Sequence, residues 1–254
     1  MRKSVLFGAL MATATMASAA SAATVNIDAF DQGWYDEFDG HDPGNTNIFV
    51  GQETYTEDDE EITANTRNFL TFDVFSVSGP VTGASITFRA NPDYTPPGPE
   101  PLPTDYSGTG AYYSNDPSET YELYSYEGDI LDLLFGGPDP DSVYDDLGDG
   151  DNYGSYEYFG TWAEGMKEFT IQLSLDAVDD INAALLGDGY FAVGGLLSSL
   201  GGGEVEALFS YSAWETFIPA AYLTLEIADV PEPAALGLLG LGLAGFGLAR
   251  RRRS

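Results

Sequence analysis

Between Asn68 and Val77 the chain alternates apolar and polar residues through Leu70, Phe72 and Val74. A period of two puts successive side chains on opposite faces, so this run is a strand with one buried face and not a helix. Residues 24–29 alternate in the same way, and 84–90, 120–126, 168–175, 190–197, 205–211 and 221–227 continue the series. Clusters of Gly, Pro, Asn and Asp separate them. Many short strands with turn residues between them predict an all-β fold, a two-layer antiparallel β-sandwich.

Two interruptions have helical spacing. Residues 177–186 place Val178, Ile181 and Leu185 on one face, with Ser174 or Asp176 as the cap, Asp179 and Asp180 towards the positive end of the dipole, and Gly187 as the stop. Residues 129–135 give a shorter candidate closed by Gly136-Gly137-Pro138. Both are expected as connectors across the sandwich and not as a separate layer. The stretch 91–107 carries Pro92, Pro96, Pro97, Pro99, Pro101 and Pro103, so it is expected as an extended, exposed loop outside the sheet interior.

The two ends differ from this core. Arg2-Lys3, the apolar run 5–16 and the small-x-small motif Ala20-Ser21-Ala22 have the build of a secretory signal peptide, with cleavage expected after Ala22 or Ala23. At the other end Val230, Pro231, Glu232 and Pro233 precede an uncharged apolar run, 234–249, and then Arg250, Arg251, Arg252 and Arg253. The prolines end any preceding element. The run can enter a bilayer, and the arginines hold its end on the cytoplasmic side. Sixteen helical residues span only ~24 Å against a ~30 Å hydrocarbon core, and five glycines weaken the helix. A buried core helix is the alternative, yet a globular core would gain nothing from four adjacent arginines. The expected organisation is therefore a signal peptide, 1–23, a β-sandwich domain, 24–229, and a sorting tail, 230–254, with a transmembrane helix at 234–249.

The tripartite order of Pro-Glu-Pro box, Gly/Leu-rich apolar segment and terminal arginines resembles the PEP-CTERM sorting signal of Gram-negative bacteria. Val230 to Pro233 match the box residue by residue, and Arg250 to Arg253 match the basic stop. The resemblance implies export, transient anchoring in the inner membrane, and recognition by a membrane-embedded exosortase that cleaves near the box.

A second resemblance lies in the core. Asn45-Thr46-Asn47, Val50-Gly51, Arg67-Asn68-Phe69-Leu70-Thr71-Phe72-Asp73, the strands that follow, and later Val178, Ile181-Asn182 and 191–195 resemble the DNRLRE-like β-sandwich domains, which are similar to carbohydrate-binding modules. The arginine-rich signature of that group is reduced here to Arg67. What the resemblance implies is a jelly-roll-like fold that binds extracellular glycan without catalysis.

Composition narrows the partners. The formal net charge is −32, and of nine basic residues only Arg67, Arg89 and Lys167 lie outside the two ends. Such a surface repels nucleic acid and anionic lipid. It collects cations, so calcium bridging to an acidic polysaccharide and plain solubility in a salty medium both account for it. There is no cysteine, so stability comes from packing or bound ions and not from disulfides.

The residues carry little recognisable chemistry. His41 is the single histidine, no Gly-x-Ser-x-Gly elbow occurs, and without cysteine there is neither a Cys/His pair nor a zinc cluster. Asp149, Asp151 and Gly154 fall at the first, third and sixth positions of an EF-hand loop. Tyr153 and Gly160 replace two of its ligands, so the segment 145–154 is read as turn chemistry, with no metal site or cofactor assigned. Arg67 is expected to pair with a carboxylate such as Asp73. Ten tyrosines crowd the stretch 106–158, as sheet residues or as exposed rings on which a sugar face could stack. The functional expectation is an exported, exosortase-processed surface or matrix protein, non-catalytic and associated with exopolysaccharide or biofilm. The alternative is a secreted polysaccharide-active hydrolase.

Overall fold

The alternating run sits at the centre of the structure. A computed structural model describes residues 23–38, 40–57, 59–89, 112–114, 116–159, 167–201, 206–209 and 219–228, all within the compact unit Ala23–Ala228. The described strands are β1 (Ala23–Asp28), β2 (Asp31–Asp36), β3 (Val50–Glu57), β4 (Glu60–Asp73), β5 (Val81–Phe88), β6 (Tyr112–Tyr113), β7 (Glu119–Ser125), β8 (Asn152–Tyr158), β9 (Phe169–Gln172), β10 (Tyr190–Leu197), β11 (Ala207–Leu208) and β12 (Ala221–Ile227). The helices are α1 (Ile130–Phe135), α2 (Pro140–Asp149) and α3 (Leu175–Leu186).

All strand pairs are antiparallel and form two sheets. The small sheet has the order β1-β12-β5-β9, and the large one runs β6-β11-β3-β4-β10-β7-β8, with β2 also paired to β4. Strand β4 is the spine of the large sheet: residues 60–66 pair with β3, 66–71 with β2 and 68–73 with β10. One apolar cluster takes Leu70 and Phe72 from β4, Phe191 and Val193 from β10, Ile86 and Phe88 from β5, and Leu223 and Leu225 from β12. The two sheets therefore share one core, as the alternation predicts.

Rings join the layers. Phe88 of the small sheet stacks on Phe169 at 4.9 Å and on Phe209 at 5.0 Å, and meets Tyr121 of the large sheet edge-on at 5.3 Å. The Tyr121 hydroxyl is buried and donates to Asn68 Oδ1 at 2.8 Å, while Asn68 Nδ2 donates to the Ile48 carbonyl at 2.8 Å. A buried polar group left without a partner costs ~1–3 kcal/mol, so this relay is what lets an Asn–Tyr pair sit in the core.

Helix α3 matches its expectation. Ser174 caps it by accepting from the Ala177 N–H at 3.3 Å, and Ala177, Val178 and Ile181 enter the main core. Helix α1 also forms: Asp129 accepts from the Leu131 N–H at 2.8 Å, and Gly136 ends the helix at φ 75°.

Several expectations are corrected. A third helix, α2, occupies 140–149, where the run Leu147-Gly148-Asp149 was expected to turn. Pro140 is pre-organised for the first turn, and Val143, Tyr144 and Leu147 form a narrow apolar stripe. With α1 that stripe packs on Tyr35 and Phe69 as a second apolar cluster, so the helices form a partial extra layer on the outer face of the large sheet and are not mere connectors. Gly194 makes the approach possible, since a Cβ there would fall 2.2 Å from the Leu147 carbonyl. Strands β2, β3, β6 and β8 were absent from the expected series. The leader, the proline-rich loop 91–107, and the box, apolar run and arginines of the tail lie outside the described residues. Among the described residues, no helix is long and apolar enough to cross a membrane.

Candidate functional site

The outer face of the large sheet carries two regions. Where α1 and α2 cover it, Tyr35 and Phe69 are buried. Beside them lies an open cavity of about 220 Å³, walled by Tyr126, Asp129, Ile130, Asp188, Tyr190 and Ala192. Register explains the wall: Phe191 and Val193 of β10 point into the core, so Tyr190 and Ala192 must face outward. Asp129 is placed by its capping role in α1, and Asp188 by accepting from the Tyr190 N–H at 3.1 Å.

An aromatic rim borders this cavity. The Phe30 ring lies 5.8 Å from that of Tyr190 at 44°, and the two residues are 50% and 37% exposed. Phe75, 77% exposed, continues the rim past Gly189, where a Cβ would fall 2.8 Å from the Phe75 Cβ. Each of Asp129 and Asp188 spends one carboxylate oxygen on a backbone N–H. The other oxygen of each takes no hydrogen bond among the described residues. Open rings beside half-used carboxylates can hold a flat hydroxyl-bearing ring, with C–H groups on the aromatic faces and O–H groups donating to the acids. A second cavity of about 100 Å³ shares Tyr126 and Asp129 and runs towards Asp146. Burial pushes the Asp146 carboxyl above its ordinary range, although the Glu127 and Gly128 N–H groups donate to it at 3.0 and 2.8 Å.

A carboxylate group lies elsewhere, where β7 begins. Asp116, Glu119 and Glu206 each bring an oxygen within 4.8 Å of the others, and Glu119 and Glu206 are buried. The Ser114 and Ser199 hydroxyls donate to Glu119, and the Gly201 N–H donates to Glu206 at 2.9 Å. Hard oxygens of this kind suit calcium but supply only part of the ~6–8 ligands it takes. Asp116 and Glu119 are close in sequence but Glu206 is remote from both, so no spacing motif could have found the three together.

The residues singled out in the sequence are distributed as follows. Arg67 does not pair with Asp73; it donates to the carbonyls of Tyr144 and Asp145 at 2.7 and 2.9 Å and lies over the Tyr144 ring at 4.3 Å. Asp73 points its carboxylate instead at the Phe75 N–H, 3.1 Å away. The ion pair of the described core is Arg89 with Asp28. His41 stacks on Tyr35 at 4.9 Å, meets Phe69 edge-on at 5.2 Å, and its Nδ1 bonds the Trp34 carbonyl at 2.9 Å. Asp149 ends α2, Asp151 follows it, and Gly154 sits in β8, so these residues do not form one loop. Of the crowded tyrosines, Tyr121, Tyr144, Tyr153 and Tyr158 are buried. The rings of the cleft rim, Phe30, Phe75 and Tyr190, all lie outside that stretch. A Phe-Asp pair after one strand and Asp-Gly-Tyr before another were the available signals, and neither stands out from a background so rich in acids and rings.

Comparison with known families adds the tail. Residues 229–253 match the PEP-CTERM protein-sorting motif, which implies an exported chain processed by an exosortase in a Gram-negative cell. No family match supports the DNRLRE-like resemblance of the core. No curated protein matches the chain.

Proposed function

We propose that this chain is an exported, exosortase-processed surface or matrix protein whose sandwich domain associates, without catalysis, with exopolysaccharide of the biofilm or cell coat. In this reading the apolar run 234–249 anchors the precursor transiently in the inner membrane. Val230 to Pro233 present the processing box, Arg250 to Arg253 hold the cytoplasmic end, and Ala20 and Ala22 set signal cleavage. The mature domain is then delivered to the cell surface or extracellular matrix.

The observation that carries the reading is the match of residues 229–253 to a protein-sorting motif. The sheet unit adds support through an outward cleft with exposed rings and open carboxylates. The test is to incubate the mature protein, recovered from its producing cells, with a panel of bacterial exopolysaccharides, measuring both retention and release of reducing ends. Retention with no release is expected. Steady release of reducing ends would replace the binding reading with that of a secreted hydrolase.

A further inference from the structure

We infer that the cleft beside α1 is a binding site for an uncharged glycan chain, held on the Phe30–Tyr190 rings and by hydroxyl donation to Asp129 and Asp188. This rests on the reading that the protein associates with polysaccharide, and it names the place and the chemical class. The cavity, at about 220 Å³, lies below the ~300–1,000 Å³ of clefts that enclose a drug-sized ligand. It therefore suits a short part of a polymer lying across the surface, the rest of which remains in solvent. The rim formed by Phe30, Tyr190 and Phe75 is open on that side.

Charge decides the class. Asp129 and Asp188 line the cavity, Asp31 follows Phe30 directly, and Asp73 is the register partner of Tyr190. Neither described arginine balances them. Arg67 is spent on α2 and Arg89 on Asp28, where it also lies over the Tyr222 ring. A uronate or sulfated polymer would bring its anions against these carboxylates, whereas neutral hydroxyls donate to them. The same carboxylates also explain why the rim need not be a protein-docking surface: it is apolar only in its rings, and each ring is flanked by an acid.

The test is affinity gel electrophoresis of the mature protein through hydroxyethylcellulose, mannan and alginate. Tyr190→Ala, Phe30→Ala and Asp188→Asn are compared with Phe159→Ala, an exposed ring not among the cleft residues, and the unfolding midpoint of each variant shows whether it is folded. The expected result is retardation by a neutral polymer and not by alginate. Binding should weaken at least tenfold in Tyr190→Ala or Phe30→Ala, weaken in Asp188→Asn, and stay unchanged in Phe159→Ala. If a neutral polymer retards the wild type and the folded cleft variants equally, the cleft assignment fails while polysaccharide association stands. Retardation by alginate that the cleft variants abolish overturns the uncharged class. If no polymer of either kind retards the wild type, this inference and the association it rests on fall together.

Discussion

Arg67 holds Tyr144 in two ways at once: its guanidinium donates to the Tyr144 carbonyl at 2.7 Å and lies 4.3 Å from the centre of the Tyr144 ring. A second donation, to the Asp145 carbonyl at 2.9 Å, fixes the guanidinium against the last turns of α2. Gly148 leaves the space, since a Cβ there would fall 2.8 Å from Arg67 Cζ. One strand residue thus fastens the outer helix to the sheet.

Replacing Arg67 should loosen that helix first. Hydrogen bonds to a charged group contribute ~1.5–3 kcal/mol and a cation–π contact ~0.5–1 kcal/mol. Because Arg67 is only partly buried, a net loss of about 2 kcal/mol is expected for Arg67→Ala in urea unfolding. Both donations leave from Nη1, so Arg67→Lys should recover part of the loss through its ammonium donors but not the planar guanidinium contact with the Tyr144 ring. A loss under ~0.5 kcal/mol for the alanine variant would show that the contact is incidental.

Gly195 faces the buried relay. A Cβ there would lie 2.1 Å from the Tyr121 hydroxyl and 2.3 Å from Asn68 Oδ1. Gly195→Ala must displace one of them and break the hydrogen bond between them. Overpacking of this kind costs ~1–3 kcal/mol, and an orphaned buried hydroxyl adds to it. Gly187→Ala is the matched comparison, because its Cβ would meet nothing closer than 3.4 Å, and it should be near neutral. Equal unfolding midpoints for the two variants would contradict the steric account.

The pH response has an acidic and an alkaline limb. Burial lowers the affinity of His41 for a proton below the ordinary 6.5, and this outweighs the Trp34 carbonyl and the nearby Asp31 and Asp42, which act the other way. Unfolded chains then take up the proton first, so stability should fall as pH drops below 6.5, until the folded protein also binds it. His41→Gln should flatten that limb. In the alkaline direction burial pushes Tyr35 up to about 12. The unfolded phenol ionises near 10, so stability should decline as pH rises from about 10 to about 12. Tyr35→Phe should reduce that decline at the cost of the hydrogen bond from its hydroxyl to the Leu133 carbonyl at 2.7 Å. Thermal unfolding across the range checks both limbs.

How much of this was legible depended on how sharply burial differs between faces. Strand β4 could be read because Leu70 and Phe72 are buried in the core shared by the two sheets. Helix α3 could be read because Ser174, Val178, Ile181 and Gly187 combine a cap, a stripe and a stop. Helix α2 was hidden because Asp141, Asp145, Asp146 and Asp149 surround a stripe of only Val143, Tyr144 and Leu147. Local acid density and a Gly-x-Gly pattern imitate a turn, and tertiary packing on Phe69 decides otherwise. Arg67 was misassigned for a related reason. Sequence offers carboxylates everywhere, yet the nearest acceptors in space are main-chain oxygens of a helix that sequence did not show. The cleft was the least legible part, because Phe30, Asp129 and the Asp188–Tyr190 turn come from three separate parts of the chain and meet only through the β4–β10 and α1 placements.

The tail invites the last prediction. Residues 229–253 match a sorting motif whose end in this chain is Arg250-Arg251-Arg252-Arg253. An apolar run of sixteen residues is short for a bilayer, and its five glycines make it a poor helix. Retention of the precursor at the membrane should therefore depend on the four charges, each costly to bring into the hydrocarbon. Replacing all four with serine should leave the tail free to slip through or escape the processing enzyme, and a blot should show loss of the mature band. Replacing them with lysine keeps the positive charge, so it should preserve maturation. Normal processing of the serine variant would show that Val230 to Pro233 and the apolar run suffice, and that the arginines serve no stop function.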